Sequence, residues 1–299
     1  MTDFVQILVS GTTVGSVVAL VAFGYTLVYS TSRVVNFAQG SMLVVAGFFA
    51  TLLVRSGWGI LPAFLGTIAF MALVGIAVEV VALRPLGRFD PATNVGWILT
   101  TFSAGIIAID LVKLWIGSET RSLPPIVRSV GGWERSLVAG VAVKASDVLL
   151  VVVTIVLAVG LERFLDHTRQ GRALRAVSQD RQAASLMGIN PTTAIMLSFA
   201  LAGVLAGVGA VLLAPRLFIK VENGIVLGVQ AFVAAVLGGL GSTRGAIVGG
   251  YAIGFTTATV NTVWAAGQRY QPLVVFALFL AVLVVRPTGL LGRRVVEKV

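Results

Sequence analysis

The stretch TAIMLSFALAGVLAGVGAVLLA, residues 193–214, contains no charged side chain. About 20 consecutive apolar residues are enough for an α-helix to cross the hydrocarbon core of a bilayer. Over the whole chain of 299 residues, 57% are hydrophobic and 11% are charged, whereas soluble domains carry about 25% charged residues. So few charges cannot cover a globule in water, and the sequence therefore predicts an integral membrane protein.

Eight other apolar segments of varying length lie along the chain. The nine lie at residues 4–29, 37–54, 61–83, 95–116, 148–164, 193–214, 225–240, 246–265 and 273–285. We therefore expect one all-α domain, residues 1–299, a polytopic transmembrane bundle with eight or nine membrane segments. Segment 37–54 follows Asn36 and contains Gln39 and Gly40, which makes it a candidate for a broken or re-entrant helix.

The basic residues, with a formal net charge of +10, lie in the short connections between apolar segments. Lys and Arg favour the cytoplasmic side and the anionic lipid headgroups there, so loop 161–191 and the C-terminal tail are predicted to be cytoplasmic. Loop 117–146, in which glutamates offset the basic residues, is predicted to be external. Nine full crossings would place the N-terminus outside, and one re-entrant segment would place it inside. Aromatic and basic residues do not interleave, which argues against nucleic acid as a partner.

The sequence offers little for bond-making chemistry. It has no cysteine and one histidine, which argues against disulfides and against Cys- or His-based metal sites. It also lacks a G-x-x-x-x-G-K-[ST] loop for ATP and the H-E-x-x-H and G-x-S-x-G signatures. We therefore expect a protein that is not an enzyme and that binds no cofactor or metal of its own.

Charged residues inside the apolar segments have neighbours of opposite sign. Glu79 precedes Arg84 by five positions, and Asp110 precedes Lys113 by three, which places the second pair on one helix face. Local ion pairs are the favoured interpretation. Of these residues, Asp110 is the loose candidate for a proton relay in mid-membrane.

Two further stretches interrupt the apolar pattern. The run VLGGLGSTRGAIVGG, residues 236–250, predicts a tight cytoplasmic turn between two helices, because glycine permits positive φ and close backbone approach. Its turn glycines are Gly238, Gly239, Gly241 and Gly245. The run NFAQGSM, residues 36–42, supports two interpretations equally: a helix start capped by Asn36, or polar side chains that face a substrate route.

The most polar interruption is RAVSQDRQAASLMGIN, residues 175–190. It is rich in helix formers, and a single helix would place Asp180, Ala184 and Gly188 on one face. Gly188 is a typical helix stop, and Pro191 prevents continuation. Small residues on that face would form a shallow surface for another protein, and the alternative is an amphipathic helix that lies on lipid.

This stretch resembles the cytoplasmic coupling loop of LivH-type permeases, the membrane subunits of branched-chain amino-acid ABC importers. The match runs through Arg175, Ala176, Asp180, Ala184, Ser185, Gly188 and Ile189. Three more stretches are similar to family motifs: VVNFAQGSM to INFAHGE, AAVLGGLGSTRGAIVGG to AVLGGIGSIPGAMIGG, and VRPTGLLGR to MPTGILGR. Gln39 stands where the family usually has histidine, and Arg244 where proline is common.

The resemblance implies a permease subunit of a binding-protein-dependent importer in the bacterial inner membrane. Its implied partners are a second permease subunit in a homo- or heterodimer, two ATPase subunits that hold ATP and Mg²⁺, a soluble extracytoplasmic binding protein and membrane lipid. The implied ATPase-coupling residues are Arg175, Asp180, Ala183, Ala184, Ser185, Gly188 and Ile189.

The solute implied by the resemblance is a branched-chain amino acid or a similar small polar molecule, with urea or short amides as the alternative. Asn36, Gln39 and Gln230 are the candidates for the substrate pathway. A different class of protein, an ion-driven secondary transporter, also remains open, and it would need an unpaired acid in mid-membrane.

Overall fold

A computed structural model describes residues 2–87, 95–117, 119–126, 135–138, 141–215, 220–264 and 267–292. Within these ranges the chain forms α-helices and one short hairpin. In chain order they are α1 Thr2–Ser32, α2 Gln39–Arg55, α3 Ile60–Val78, α4 Gly96–Ile116, β1 Arg135–Val138, β2 Val141–Lys144, α5 Ala145–His167, α6 Arg169–Gln179, α7 Arg181–Leu186, α8 Pro191–Leu213, α9 Val221–Gly238, α10 Thr243–Val263 and α11 Gly267–Val285.

Each of the nine predicted apolar segments coincides with a helix, so the prediction of a helical bundle is confirmed. In the described part of the chain, five helices are long and apolar enough to cross a bilayer, namely Thr2–Ser32, Ile60–Leu86, Gly96–Ile116, Ala145–His167 and Pro191–Leu213. Three shorter apolar helices accompany them, Gln39–Arg55, Asn223–Gly238 and Arg269–Val285. These features make the chain a multi-pass membrane protein.

The exception to the helical prediction lies within the predicted external loop. There β1 and β2 pair as an antiparallel hairpin, from Arg135 opposite Lys144 to Val138 opposite Val141. The hairpin leads directly into α5, which begins at Ala145. Part of loop 117–146 lies outside the described residues.

Helix α1 runs through the centre of the bundle, antiparallel to α10. A Cβ atom on Gly250 would lie 2.4 Å from the Cα of Ala19, and one on Gly254 would lie 2.3 Å from the Cα of Gly15. Lipid supplies no hydrophobic force between helices, so close packing of small residues is what holds such a pair together. The two helices therefore meet backbone to backbone.

A second close contact joins α3 and α8. A Cβ on Gly203 would lie 2.0 Å from the carbonyl oxygen of Met71, and one on Gly75 would lie 2.1 Å from that of Phe199. Gly207, four residues further along α8, also faces Met71, since a Cβ there would lie 3.3 Å from the Met71 Cβ. Both glycines therefore have a packing role. By contrast, α4 and α5 turn large apolar side chains such as Leu114 and Val156 outward, as lipid-facing helices do.

Both of the ion pairs that the sequence suggested are present. Arg84 Nη2 lies 3.1 Å from Glu79 Oε2, and Lys113 Nζ lies 2.8 Å from Asp110 Oδ1. Glu79 is buried at the start of a π-helical turn, Glu79–Leu83, which extends α3. Each acid therefore has a neutralising partner, and Asp110 is not the unpaired acid that a proton relay needs.

Candidate coupling site and the buried polar insertion

The polar loop between α5 and α8 is built from two short capped helices. Thr168 Oγ1 accepts a hydrogen bond from the backbone N–H of Gly171, 2.9 Å away, and so caps α6. A Cβ at position 171 would lie 2.1 Å from the carbonyl oxygen of Phe164, so glycine is needed for this turn. Leu174 and Val177 of α6 are buried against the bundle. The loop is therefore docked onto the protein along its first half.

The prediction of one helix over residues 175–190 is wrong, because the chain breaks at Asp180. This residue has an extended backbone, and its Oδ1 accepts hydrogen bonds from the N–H groups of Gln182 and Ala183 at 2.8 and 2.9 Å. Aspartate competes for backbone donors and favours caps over helix interiors. Asp180 therefore starts α7, and it does not share a helix face with Ala184 and Gly188.

The second half of the loop ends in an exposed apolar tip, which we define as Leu186 and Met187. Their side chains are 89% and 83% exposed. Gly188, at φ +82°, stops α7, and Ile189 N–H donates to Ala184 O at 3.0 Å. Asn190 Oδ1 then accepts from Thr192 N–H at 3.0 Å and so caps α8. The tip thus stands between two helix ends that are both fixed.

The structure distributes the predicted coupling residues around this tip. Asp180, Ala183, Ser185 and Gly188 are exposed beside it, whereas Ala184 is buried with Leu174 and Val177. Arg175 forms an ion pair with Asp166. Ile189 is partly buried against the same cluster as Ala184.

Sequence reasoning counted Leu186 and Met187 only as apolar content of a helix that lies on lipid. Their position directly before a helix-stopping glycine in a charged loop was the signal for an exposed tip.

Two arginines tie the loop to the end of α1. Arg181 donates from Nε and Nη2 to Thr31 O, at 3.1 and 2.8 Å, and Arg33 donates from Nη2 to Ser178 O at 2.8 Å. Burial, followed by the nearby charge of Arg33, lowers the pKa of the Arg181 guanidinium from its ordinary value. Even so, an arginine stays protonated in any accessible pH range.

The second polar insertion begins where α1 ends. Residues 33–38 are not helical, and Val34 and Asn36 within them are fully buried. Side chains supply the missing backbone partners: Ser32 Oγ accepts from Val34 N–H at 3.1 Å, and Asn36 Oδ1 accepts from Ala38 N–H at 3.1 Å. Non-helical backbone at membrane depth is stable only where protein surrounds it and its polar groups are paired.

Gln39 joins the start of α2 to α8 and to α1. It is fully buried, and its Nε2 donates to Ala202 O of α8 at 3.0 Å. A Cβ on Gly24 would lie 2.4 Å from the same Nε2. Gly24 lies eight residues before the end of α1, a rise of about 12 Å. Helix α2 is continuous from Gln39 to Arg55, so the segment proposed as a broken or re-entrant helix is not broken within the helix. The non-helical residues 33–38 lie just before it.

The three predicted pathway residues are all buried inside the chain. Asn36 and Gln39 are 0% exposed and Gln230 is 7% exposed. Asn36 serves the backbone of its own turn, and Gln39 links α2 to α8. The Gln39 Oε1 atom has no hydrogen-bond partner among the described residues.

The predicted turn glycines lie where α9 meets α10: Gly238 ends α9, Gly239 and Gly241 lie in the connection, and Gly245 lies in the first turn of α10. Gly239 and Gly241 have φ values of +105° and +87°, and a Cβ on Gly238 would lie 1.9 Å from Gly245 O. The C-terminal segment pairs with this turn, because Leu290 N–H donates to Leu237 O at 2.8 Å and Leu291 N–H donates to Gly238 O at 3.0 Å. Two stretches that resemble family motifs therefore form one interlocked unit.

A helical bundle of this design, with a buried non-helical segment after its central helix and a docked loop at one end, defines a polytopic membrane protein. Its fold is similar to that of a solved structure, PsaBC from Streptococcus pneumoniae in complex with Fab. The TM-score is 0.51 at 16% sequence identity, over 96% of this chain and 93% of that one.

The chain belongs to the family described as "Branched-chain amino acid transport system / permease component", whose model matches residues 7–283. It is 36% identical to the high-affinity branched-chain amino acid transport system permease protein BraD of Pseudomonas aeruginosa, over 99% of this chain and 98% of the relative. It is 33% identical to the LivH permease protein of Escherichia coli K12, with the same coverage. A probable LivH permease of Methanocaldococcus jannaschii is 31% identical over 93% of this chain and 89% of the relative. The predicted resemblance to LivH-type permeases is confirmed, and with it the importer permease role.

Proposed function

We propose that this chain is the transmembrane subunit of a binding-protein-dependent ABC importer for branched-chain amino acids, in a bacterial inner membrane. The family and the names of the full-length relatives support the solute class. The absence of a phosphate-binding loop from the sequence supports an energy source on other subunits.

The observation that carries the proposal is the exposed apolar tip on an anchored loop. Burial of one such side chain is worth about 1.5–3 kcal/mol, so Leu186 and Met187 favour an apolar groove on another protein. Their neighbours Asp180, Ala183 and Ser185 are small or acidic and leave room for the rim of such a groove. We assign this groove to the ATPase subunit.

The tip is connected directly to the helices of the bundle through α8. The tip precedes α8 by four residues, and Asn190 and Pro191 fix the start of that helix. Helix α8 in turn contacts α1 through Thr31 Oγ1, which donates to Ser198 Oγ at 2.8 Å. Closure of the ATPase pair would then favour one packing of the bundle over the other, which is alternating access by population shift.

The proposed assembly contains two permease subunits, two ATPase subunits that hold ATP and Mg²⁺, and a soluble binding protein outside the cell. The permease pair is a homodimer or a heterodimer. The proposed topology has nine membrane segments, with α2 starting at half depth and the N-terminus outside. This topology places the basic loop 161–191 in the cytoplasm and loop 117–146 outside, as the positive-inside rule favours.

The test is uptake by the whole assembly in proteoliposomes. This chain, its partner subunits and the binding protein are reconstituted together, and uptake of labelled leucine is compared with uptake of urea and acetamide. We expect ATP-dependent uptake of leucine. If the assembly instead took up urea or acetamide in an ATP-dependent way, the ABC importer role would stand and the proposed solute would be wrong. Uptake driven by a proton gradient without ATP would contradict the importer role itself.

A further inference from the structure

We infer that Arg33 and Arg181 are positioning residues that join the coupling loop to the buried segment 33–38, so that the loop moves the entrance of α2 as well as α8. This inference rests on the proposed function. It concerns a pair of contacts between residues about 150 positions apart in sequence.

The two contacts are reciprocal helix caps. Thr31 is the penultimate residue of α1, and Ser178 is the penultimate residue of α6. The last four carbonyl groups of a helix have no partner within it and carry the negative end of the helix dipole. Arg33, directly after α1, caps α6, and Arg181, just after α6, caps α1. Each helix end is thus held by a cation from the other.

The backbone conformation of Arg33 also indicates that the turn after α1 is held in a fixed geometry. Its φ is +59°, and it is the one non-glycine residue with positive φ in the described part of the chain. Such a conformation is unfavourable for a side chain with a Cβ, and it persists where the surroundings fix it. Two bonds hold this backbone: Arg33 N–H donates to Tyr29 O at 2.9 Å, and Val34 N–H donates to Ser32 Oγ at 3.1 Å. From this fixed turn the guanidinium reaches Ser178 O. The turn at Arg33 also sets the direction of the buried residues that follow, up to Gln39.

Apolar contacts alone would leave the loop free to slide. Leu174, Val177 and Ala184 of the loop meet Leu27 of α1 in a small apolar cluster, and apolar contact has no preferred direction. Charge-assisted hydrogen bonds fix both distance and direction. With the arginine pair in place, a shift of the loop carries the end of α1 and segment 33–38 with it.

The experiment measures the number of ATP molecules hydrolysed per solute molecule transported, in the full assembly in proteoliposomes. For Arg33→Gln and Arg181→Gln we expect this ratio to rise about tenfold, within the range of typical coupling energies, while the assembly stays intact. Arg172→Gln, an exposed arginine of α6, is the matched control and should keep the wild-type ratio. A wild-type ratio in Arg181→Gln would overturn the inference.

If the glutamine variants do not assemble, Arg181→Lys tests the same inference. Lysine keeps the charge but lacks the planar fork that reaches Thr31 O from both Nε and Nη2, so the ratio should rise about threefold. An unchanged ratio in the lysine variant would overturn the inference as well. Failure of the proposed function is distinguishable, because the wild-type assembly would then hydrolyse ATP without moving any solute.

Discussion

The loop of α6 and α7 and the buried segment 33–38 are both polar interruptions of an apolar chain, and they use their polar side chains for the same purpose. In the loop, Thr168, Asp180 and Asn190 accept hydrogen bonds from free N–H groups at helix starts. At the buried segment, Asn36 within it and Ser32, the last residue of α1, accept hydrogen bonds from the non-helical backbone of Ala38 and Val34. The two regions differ in what they expose: the loop ends in an exposed apolar tip, whereas residues 34–38 are buried or partly buried and Arg33 is the one exposed residue of the segment.

This comparison teaches that a polar residue in a membrane bundle serves the backbone before it serves a ligand. An unpaired backbone group costs several kcal/mol in hydrocarbon and far less in water. The buried segment therefore uses its polar side chains internally, whereas the loop can expose residues for a partner. The surface that we propose for the partner is therefore apolar, at Leu186 and Met187, although the loop is polar in overall composition.

The largest effect is expected at the tip. The double change Leu186→Glu and Met187→Glu should lower ATP-dependent uptake at least about tenfold, because two charges would enter an apolar groove unpaired. Thermal stability of the chain should change by less than about 0.5 kcal/mol, since both side chains are exposed. Uptake and thermal unfolding are measured on the same preparation.

Gln170→Glu with Gln179→Glu adds the same two charges at exposed positions of α6 and serves as the control. It should keep most of the wild-type uptake. Equal losses in both double variants would mean that negative charge anywhere on the loop is harmful, and the tip would lose its special role.

A strong effect on stability is expected where α8 meets α3. Gly203→Ala places a methyl group 2.0 Å from Met71 O and should destabilise the bundle by about 1–3 kcal/mol. Gly160→Ala, on α5, meets no atom within 4 Å and should leave the midpoint of thermal unfolding unchanged or slightly raised. Similar midpoints for the two variants would refute the close packing that holds both interruptions in place.

Gln39→Leu separates the structural role of the buried segment from a pathway role. It removes the bond to Ala202 O and should cost about 1 kcal/mol of stability, as the loss of one buried hydrogen bond does. The KM for leucine uptake should stay the same, because Gln39 is fully enclosed by protein. A marked rise in KM without loss of stability would restore Gln39 to the substrate pathway.

The smallest effect is expected at the exposed pair on α4. Asp110→Asn removes an ion pair whose side chains are 54% and 41% exposed, and exposed pairs are worth about 0–1 kcal/mol. Uptake should be unchanged at every pH tested. Loss of uptake, together with loss of its pH dependence, would instead favour a proton-driven mechanism.

The helices were predictable because bilayer-length apolar segments are a strong signal, and all nine coincide with helices. The stop at Gly188 and the turn glycines were predictable from backbone chemistry. The break at Asp180 was missed, because helical spacing said nothing about whether its carboxylate would cap a new helix. The reciprocal contacts of Arg33 and Arg181 were beyond sequence reasoning, since they join residues that only the folded bundle brings together.

The most direct test of the account compares two sets of proteoliposomes, one with this chain alone and one with the complete assembly. The account predicts no leucine flux through the isolated chain, with or without ATP, and ATP-dependent uptake by the assembly that the tip variant abolishes. Rapid leucine flux through the isolated chain without nucleotide would contradict it.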